Sequence, residues 1–272
     1  MEAAKDQGHP GAGAGVSFIQ IQNLHKTFLQ TVHALRGVDL NVEKGEHVIL
    51  LGHNGSGKST MLRCLNRLET PTQGSISFDG VELTHAGRRV LRHARRRIGF
   101  VFQRFNLVGN LSSLQNVLFG AMGRKHYPQC LNVFASADLR REAMNALDRV
   151  GLADCAGQRA DQLSGGQQQR VAIARTLLQK PDVVLADEPI ASLDPKAARD
   201  VMNLLWEVGR EQQYTIICTL HQLDIALSVG GRIVALKEGK KVLDASTEGI
   251  EASDLDWLYN HHSEELGERK EL

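Results

Sequence analysis

Residues 47–60, HVILLGHNGSGKST, decide the fold of this chain. A short, mostly apolar run leads into a glycine-rich turn, and the turn leads into a helix whose apolar positions begin at Met61. Glycines let backbone N–H groups wrap phosphate oxygens, Lys58 reaches the outer phosphates, and the Ser59 hydroxyl can ligate Mg²⁺. The segment therefore predicts a strand, a phosphate-binding loop and a helix. The predicted binding residues are Gly52, His53, Asn54, Gly55, Ser56, Gly57, Lys58, Ser59 and Thr60.

Three further apolar runs have the length of buried strands. They are DVVLAD at 182–187, TIICTL at 215–220 and RIVALK at 232–237. Short continuous runs of this kind are typical of parallel strands that are covered on both faces. The sequence therefore predicts an α/β core built on a parallel sheet.

Two smaller units are expected beside this core. Strands near 17–23, 36–42 and 75–79 predict a small antiparallel sheet. Between about residues 104 and 162 the strand pattern stops, and apolar positions recur with helical spacing in two places. Ser112 is a predicted N-cap of the first helix, and Gly151 is a predicted C-terminal cap of the second.

Composition and charge narrow the class of protein. The 272 residues include 32 Lys and Arg against 31 Asp and Glu, so the net charge of +1 gives no general attraction to nucleic acid or anionic lipid. No apolar run approaches the roughly 18 residues of a membrane span, and the first 15 residues lack a signal core, so a cytosolic chain is expected. The cysteines form no CxxC pair and are expected to fill apolar positions in a reducing compartment. They are Cys64, Cys130, Cys155 and Cys218.

The stretch VVLADEP, residues 183–189, supplies two adjacent carboxylates. An apolar strand delivers Asp187 to its end, where a carboxylate can hold Mg²⁺ and its water shell. Glu188 follows and can accept a proton from the attacking water. Asp187 is therefore a predicted metal ligand and Glu188 the predicted general base.

The stretch LSGGQQQRVAIARTLL, residues 163–178, contains a second glycine turn that opens a helix, although one nucleotide needs one such anion site. The phosphate loop, LSGGQ at 163–167 and DEP at 187–189, in this order, resemble the ATP-binding subunit of an ATP-binding-cassette transporter. The resemblance covers about residues 17–260. It implies a P-loop NTPase (RecA-like) core with a parallel sheet, a small antiparallel β subdomain and a helical signature subdomain.

The resemblance also implies a division of the chain. Residues 1–16 are expected to form a flexible tail, and 17–248 an ATPase domain whose helical subdomain spans about 104–162. Residues 249–272 are expected to form a C-terminal segment and tail.

In that family two ATPase subunits pack head to tail, so the resemblance implies a homodimer in the ATP-bound state. Ser164, Gly165, Gly166 and Gln167 of one subunit then bind the γ-phosphate of ATP held by the other. Asp194 in SLDP resembles the aspartate that crosses this interface. On the residues alone, Asp194 followed by Pro195 reads equally well as an N-cap and first helical residue.

Three further side chains acquire roles by resemblance. Phe28 resembles the aromatic residue that stacks on adenine, although a core phenylalanine is the alternative. Gln103 resembles the glutamine that contacts Mg²⁺ and the attacking water, and a solvated strand-end glutamine is the alternative. His221 resembles the histidine that senses the γ-phosphate. The implied ligands are ATP and Mg²⁺.

Partners and cargo are implied as well. The subunit is expected to drive transmembrane permease subunits from the cytoplasmic face of the inner membrane, with a periplasmic or lipid-anchored substrate-binding protein as an indirect partner. We expect the permease to contact the Gln103 loop near Phe105, Asn106 and Leu107. The alternative for Phe105 and Leu107 is that they pack in the core of the helical subdomain. The stretches IASLDP and HQLDIAL resemble phosphonate-import ATPases; polar amino-acid and phosphate importers remain alternatives.

The run GRRVLRHARRR, residues 87–97, holds six arginines and raises a different class of protein, a nucleic-acid-linked ATPase. Such arginine clusters are more often a solvated helix face. The insert is short and lacks cysteine pairs, which also argues against the repair ATPases that share the signature turn. No nucleic-acid partner is expected.

Overall fold

The computed structural model describes residues 17–258. The predicted tail 1–16 and the last residues, 259–272, lie outside the described part of the chain. Within 17–258 the chain forms two sheets and a set of helices, and no helix in this range is long and apolar enough to cross a membrane.

The larger sheet has six strands in the order β10-β9-β3-β8-β7-β6. The strands are β3 (His47–Leu51), β6 (Ile98–Val101), β7 (Val183–Asp187), β8 (Thr215–Leu220), β9 (Arg232–Lys237) and β10 (Lys240–Ser246). All neighbouring pairs are parallel except β9 and β10, which are antiparallel. The parallel core is thus confirmed, whereas β10, an edge strand with largely exposed residues, was not predicted because it lacks an apolar run.

The parallel strands are buried because each face of the sheet meets a separate core. Along β3, Ile49 and Leu51 belong to the core on the helical side, whereas Val48 and Leu50 belong to the core under the smaller sheet. Successive side chains of a strand point to opposite faces, so a continuous apolar run is needed to fill both cores. This is the physical reason that the apolar runs identified the strands.

The smaller sheet is antiparallel and has the order β2-β1-β4-β5. Its strands are β1 (Ile19–Phe28), β2 (Val32–Val42), β4 (Gln73–Phe78) and β5 (Val81–Glu82). The antiparallel prediction is confirmed, although β1 and β2 are longer than their apolar segments. Their additional residues form the hairpin arm that ends at Phe28 and Val32, where the pattern is mostly polar.

Seven α-helices surround the sheets in the described residues. They are α1 (Lys58–Leu65), α2 (Arg88–Arg97), α3 (Ser113–Leu118), α4 (Ala137–Arg149), α5 (Gly165–Gln179), α6 (Pro195–Gln212) and α7 (Leu223–Val229). Both predicted caps are confirmed: the Ser112 hydroxyl accepts a hydrogen bond from the Gln115 N–H, and Gly151 has a φ of 70° beyond α4. The first helix is shorter than its apolar pattern, because a 3₁₀ turn, Phe119–Gly123, follows Leu118.

Helix α5 connects the helical layer to the large sheet. It packs against α3, α4 and α6, and it also contacts β6. Gly120 allows one close approach, because a Cβ atom at this position would lie 2.0 Å from the Arg175 carbonyl oxygen. The helix that begins at the signature turn is therefore fixed to several elements along its length.

The cysteines behave as the sequence predicts. Cys64, Cys130 and Cys218 are buried, Cys155 is half-buried, and all four are free thiols. Burial raises the pKa of Cys64 to about 12 and also raises the pKa of Cys218. These two thiols are therefore poor nucleophiles at neutral pH.

Candidate functional site

The predicted residues gather where four neighbouring strands of the large sheet end. Strands β3, β8, β7 and β6 are adjacent and parallel, so their carboxyl ends lie at one edge. The phosphate loop follows β3, His221 follows β8, Asp187 ends β7, and Gln103 follows β6. This edge of a parallel sheet is the usual place for a ligand in an α/β protein.

The phosphate loop has the backbone form that its glycines predict. Gly52, Gly55 and Gly57 have φ values of 145°, 82° and 105°, which favour glycine. A Cβ atom on Gly52 or Gly57 would collide with a backbone carbonyl oxygen, whereas one on Gly55 would meet nothing within 4 Å. The loop is thus packed tightly at its ends and open at its middle, where an anion can approach backbone N–H groups.

Lys58 lies at the base of this loop and is only 3% exposed. Its Nζ donates to the Gly52 carbonyl at 2.7 Å and to the His53 carbonyl at 3.0 Å. Burial lowers the pKa of Lys58, and the nearby carboxylates of Glu188 and Asp187 oppose that shift. An anion in the loop would therefore meet an ammonium group that has lost most of its water.

The remaining loop hydroxyls differ in their surroundings. The Ser56 hydroxyl is buried and has no hydrogen-bond partner among the described residues. Ser59 and Thr60, in the first turn of α1, are half-buried. The N-terminal turn of α1 thus presents hydroxyls and free N–H groups beside the open middle of the loop, as a phosphate and its metal require.

One threonine holds the two acidic residues at the end of β7, Asp187 by its carboxylate and Glu188 by its backbone N–H. Thr219, opposite Asp187 on β8, donates its hydroxyl to Asp187 Oδ1 at 3.2 Å and accepts the Glu188 N–H at 2.7 Å. Asp187 is 3% exposed and also contacts Arg63 of α1 at 3.5 Å. Glu188 has a φ of 46°, so the chain turns sharply and separates the two side chains. The pair can therefore perform different tasks.

The other predicted residues of this edge are more accessible. Gln103 is exposed and His221 is half-buried. Phe28, at the end of β1, is half-buried, and Lys26 Nζ lies 4.5 Å from the centre of its ring. The Phe28 ring is thus not a fully buried core side chain, and a cation already covers part of it.

The signature turn is built as a capped helix start that faces solvent. The Ser164 hydroxyl accepts the Gln167 N–H at 3.3 Å, and Gln167 Oε1 accepts the Ser164 N–H at 2.9 Å. Ser164 is exposed, and in the described chain no hydrogen bond joins residues 164–167 to the phosphate loop. Because the capping bonds use Ser164 Oγ as an acceptor, its O–H remains able to donate to an anion.

Asp194 lies beside this turn. A Cβ atom on Gly166 would lie 3.2 Å from the Cβ of Ala197, in the first turn of α6, and one on Gly165 would lie 3.4 Å from Leu193. Asp194 is the N-cap of α6 and accepts N–H bonds from Lys196 and Ala197. These bonds, above all the one from Ala197, lower the pKa of Asp194. The predicted cap is confirmed, and its carboxylate is exposed next to the signature turn.

Sequence reasoning missed the residues that hold the site together. Thr219 and Arg63 contact Asp187, and Arg175 contacts the loop after Gln103. For Thr219 a signal existed, since it is two residues before His221 on a predicted strand beside β7. No comparable signal marked the two arginines, because their contacts join distant parts of the chain.

Comparison with protein families gives one match, to the family described as ABC transporter, over residues 35–191. Similar proteins include the phosphate-import ATP-binding protein PhnC of Mycolicibacterium smegmatis, 51% identical over 92% of this chain and 95% of that protein. The phosphonates import ATP-binding protein PhnC of Nocardia farcinica is 50% identical over 83% of this chain and 84% of that protein.

Solved structures with a similar fold include ATP-binding cassettes. A dimeric post-hydrolysis state of the cassette MJ0796, bound to ADP and Pi, has a TM-score of 0.75 and 35% identity, and covers 85% of this chain and 100% of that chain. A second dimeric structure of MJ0796, described as a bacterial ABC transporter cassette, has a TM-score of 0.76 at the same identity and coverage.

We expect Thr219→Val to lower the turnover of ATP by about tenfold, because Asp187 loses a donor and the Glu188 N–H loses its acceptor. Steady-state hydrolysis and the affinity for ATP should both be measured, and the affinity should change little. The matched control is Thr215→Val on the same strand, where the hydroxyl accepts the Gly45 N–H at 2.9 Å, away from the site. Equal losses of turnover in both variants would show that Thr219 acts through stability alone.

Proposed function

The chain belongs to the ABC transporter family and is the ATP-hydrolysing subunit of an importer, and on that premise we propose how its residues share the work. The observation that carries the proposal is the meeting of the phosphate loop, Asp187 and Glu188 at one edge of the sheet. The division into an ATPase domain, 17–248, a helical subdomain near 104–162 and a C-terminal segment from 249 is part of the same proposal.

ATP binds with its phosphates in the loop 52–60 and its adenine near Phe28. Backbone N–H groups around Gly55 approach the phosphates where the loop is open, and Lys58 exchanges its bonds with the loop carbonyls for bonds with phosphate oxygens. Loss of a hydrogen bond to a charged group costs about 1.5–3 kcal/mol, so Lys58 contributes strongly to affinity.

The residues at this edge of the sheet fit Mg²⁺, which keeps water and phosphate ligands, better than a metal that is held by protein side chains alone. Within residues 17–258 no group of three His, Cys, Asp or Glu side chains could hold a metal by itself. Ser59, Asp187 and Gln103 would hold Mg²⁺ together with phosphate oxygens and water, the ligands that this ion prefers. When bound, the ion neutralises charge on the phosphates.

Hydrolysis is assigned to three side chains. Glu188 accepts a proton from the attacking water, and its half-buried position at the strand end leaves the carboxylate accessible to that water. His221, on the neighbouring strand end, contacts the γ-phosphate, and Gln103 orients the water. Thr219 fixes the Asp187 carboxylate and the Glu188 backbone, which supports assigning Asp187 to the metal and Glu188 to the water.

The signature turn serves the nucleotide of a second subunit. Ser164 is exposed and its O–H can donate, while Gly165, Gly166 and Gln167 begin a helix whose free N–H groups favour an anion. In the part of the chain that the structure describes, the turn forms no hydrogen bond with the phosphate loop of its own subunit, which supports a homodimer that closes on ATP head to tail. Asp194 then lies at the same interface, beside the turn.

The permease is proposed to dock on the groove beside the Gln103 loop. This groove has a volume of about 840 Å³, its lining includes Phe100, Phe102 and Phe119, and no carboxylate lines it among residues 17–258. Its arginines are Arg88, Arg92, Arg95, Arg96 and Arg175. A lining with both aromatic and cationic side chains fits a protein segment with both apolar and acidic side chains. The arginine run thus acquires a use that does not involve nucleic acid.

The cargo is proposed to be a phosphonate, with phosphate as the alternative. Both names occur among the relatives at 43–51% identity, and both cargoes are tetrahedral oxyanions. The subunit is placed at the cytoplasmic face of the inner membrane, with a substrate-binding protein as an indirect partner. A polar amino acid is the remaining alternative for the cargo.

Glu188→Gln should lower turnover by at least about 100-fold and trap an ATP-bound dimer, because it removes the base while leaving Lys58 and Asp187 intact. Light scattering with saturating ATP should show the dimer, and hydrolysis should be measured in parallel. Glu207→Gln, an exposed position on α6, is the control and should behave like the unaltered chain. A Glu188→Gln variant that stays monomeric would contradict the head-to-tail dimer.

Cargo should be tested on the chain assembled with its permease and binding protein in lipid. We expect alkylphosphonates to stimulate ATP hydrolysis more than phosphate, phosphite or polar amino acids do. Stimulation by phosphate or an amino acid instead would overturn the phosphonate assignment while leaving the ATPase chemistry intact.

A further inference from the structure

The loop after Gln103 contains a turn that is unfavourable by itself. Phe105 and Asn106 are consecutive residues with φ values of 53° and 50°. Asparagine tolerates this left-handed region, but an aromatic side chain rarely adopts it. The turn is closed by a bond from the Phe105 N–H to the Phe102 carbonyl at 3.2 Å and by a bond from the Asn106 N–H to the Arg104 carbonyl. Contacts from elsewhere must therefore stabilise the conformation.

Arg175 supplies such contacts from α5. Its guanidinium donates to the Phe105 carbonyl at 3.0 Å and to the Asn106 carbonyl at 2.5 Å. The planar group can serve two acceptors at once, whereas a lysine offers a single point charge. Within residues 17–258 no carboxylate forms a salt bridge with Arg175, and burial lowers its pKa. Among the described residues, the guanidinium therefore binds the carbonyl groups of the strained turn and not a carboxylate.

The same turn also reaches the other end of α5. A Cβ atom on Gly165 would lie 3.8 Å from Cζ of the Phe105 ring. The loop is therefore fixed at Arg175 by hydrogen bonds and lies close to the first residue of α5 through its ring. Gln103 is two residues before this turn, and Ser164 is the N-cap of the helix. The Gln103 loop and the signature turn are therefore joined through one helix, α5.

We propose that Arg175 is a positioning residue that fixes the Gln103 loop to α5, so that Gln103 follows the signature turn when the dimer closes. This inference rests on the proposed functions of Gln103 and Ser164. Arg175 touches neither nucleotide nor water in this account, and it acts by setting where the Gln103 side chain lies. Binding of the neighbour's ATP at this subunit's signature turn then also organises this subunit's own hydrolytic site.

A residue that acts through Gln103 must lose its effect when Gln103 is removed. The experiment uses the full chain with Gln103→Ala, Arg175→Lys and the double variant, each measured for ATP affinity and turnover. We expect Arg175→Lys to lower turnover by about tenfold with affinity unchanged within twofold. The double variant should be no slower than Gln103→Ala alone, because effects that act through one group are not additive.

Arg170→Lys is the matched control on the same helix. Arg170 donates to the Val150 carbonyl at 3.4 Å and pairs with Asp200 at 3.6 Å, away from the Gln103 loop. It should leave turnover unchanged. If Arg175→Lys does not fold, as judged by its urea midpoint, Arg175→Gln replaces it, since its amide NH₂ still offers N–H donors without the charge.

The outcomes separate this inference from the proposed function. If Gln103→Ala leaves turnover unchanged, the proposed role of Gln103 is wrong and the inference is overturned with it. If Gln103→Ala slows turnover but Arg175→Lys does not, or if the two losses multiply in the double variant, the positioning role alone is overturned. Loss of turnover in Arg170→Lys equal to that in Arg175→Lys would also overturn it, because the effect would then belong to the helix in general.

Discussion

Lys58 carries its ammonium group into the protein interior beside two carboxylates, and the surrounding structure is arranged to tolerate this charge. Lys58 and Asp187 are each 3% exposed, and an ion that is removed from water costs several kcal/mol unless it is paired or hydrogen-bonded. The loop carbonyls satisfy Lys58, while Thr219 and Arg63 satisfy Asp187. These groups can meet because parallel strands bring their carboxyl ends to one edge. The same arrangement keeps a cation ready for phosphate.

The signature turn, which we propose as a second anion site, has the opposite character. Ser164 is exposed and its helix start is capped by its own residues, whereas Lys58 and Asp187 are buried. Helix α5 connects this turn to distant parts of the chain, because the helix packs against β6 and binds the Gln103 loop through Arg175. In the proposed head-to-tail dimer, the buried half of one subunit and the exposed half of the other make one complete site. This proposal accounts for the two glycine turns of the chain.

The sequence predicted those parts of the fold in which neighbouring residues determine the outcome. The glycines of the phosphate loop, the apolar strands and the Ser112 and Asp194 caps are local features, and the structure has them as expected. What could not be predicted depends on contacts between distant residues. Strand β10 pairs with β9 at the edge of the sheet, although its own sequence lacks an apolar run. Thr219 and Arg175 form hydrogen bonds with residues that are 32 and about 70 positions away in the chain.

The most direct test of the shared site mixes two variants that are inactive alone, Lys58→Ala and Ser164→Arg, and measures the ATP hydrolysis that the mixture regains. Each homodimer lacks one half of both sites. A mixed dimer that closes head to tail has one site with both halves intact, so hydrolysis should reappear in the mixture although neither variant hydrolyses ATP alone. Absence of hydrolysis in a mixture shown to contain mixed dimers would contradict the head-to-tail site, because the two halves would then have to come from the same chain.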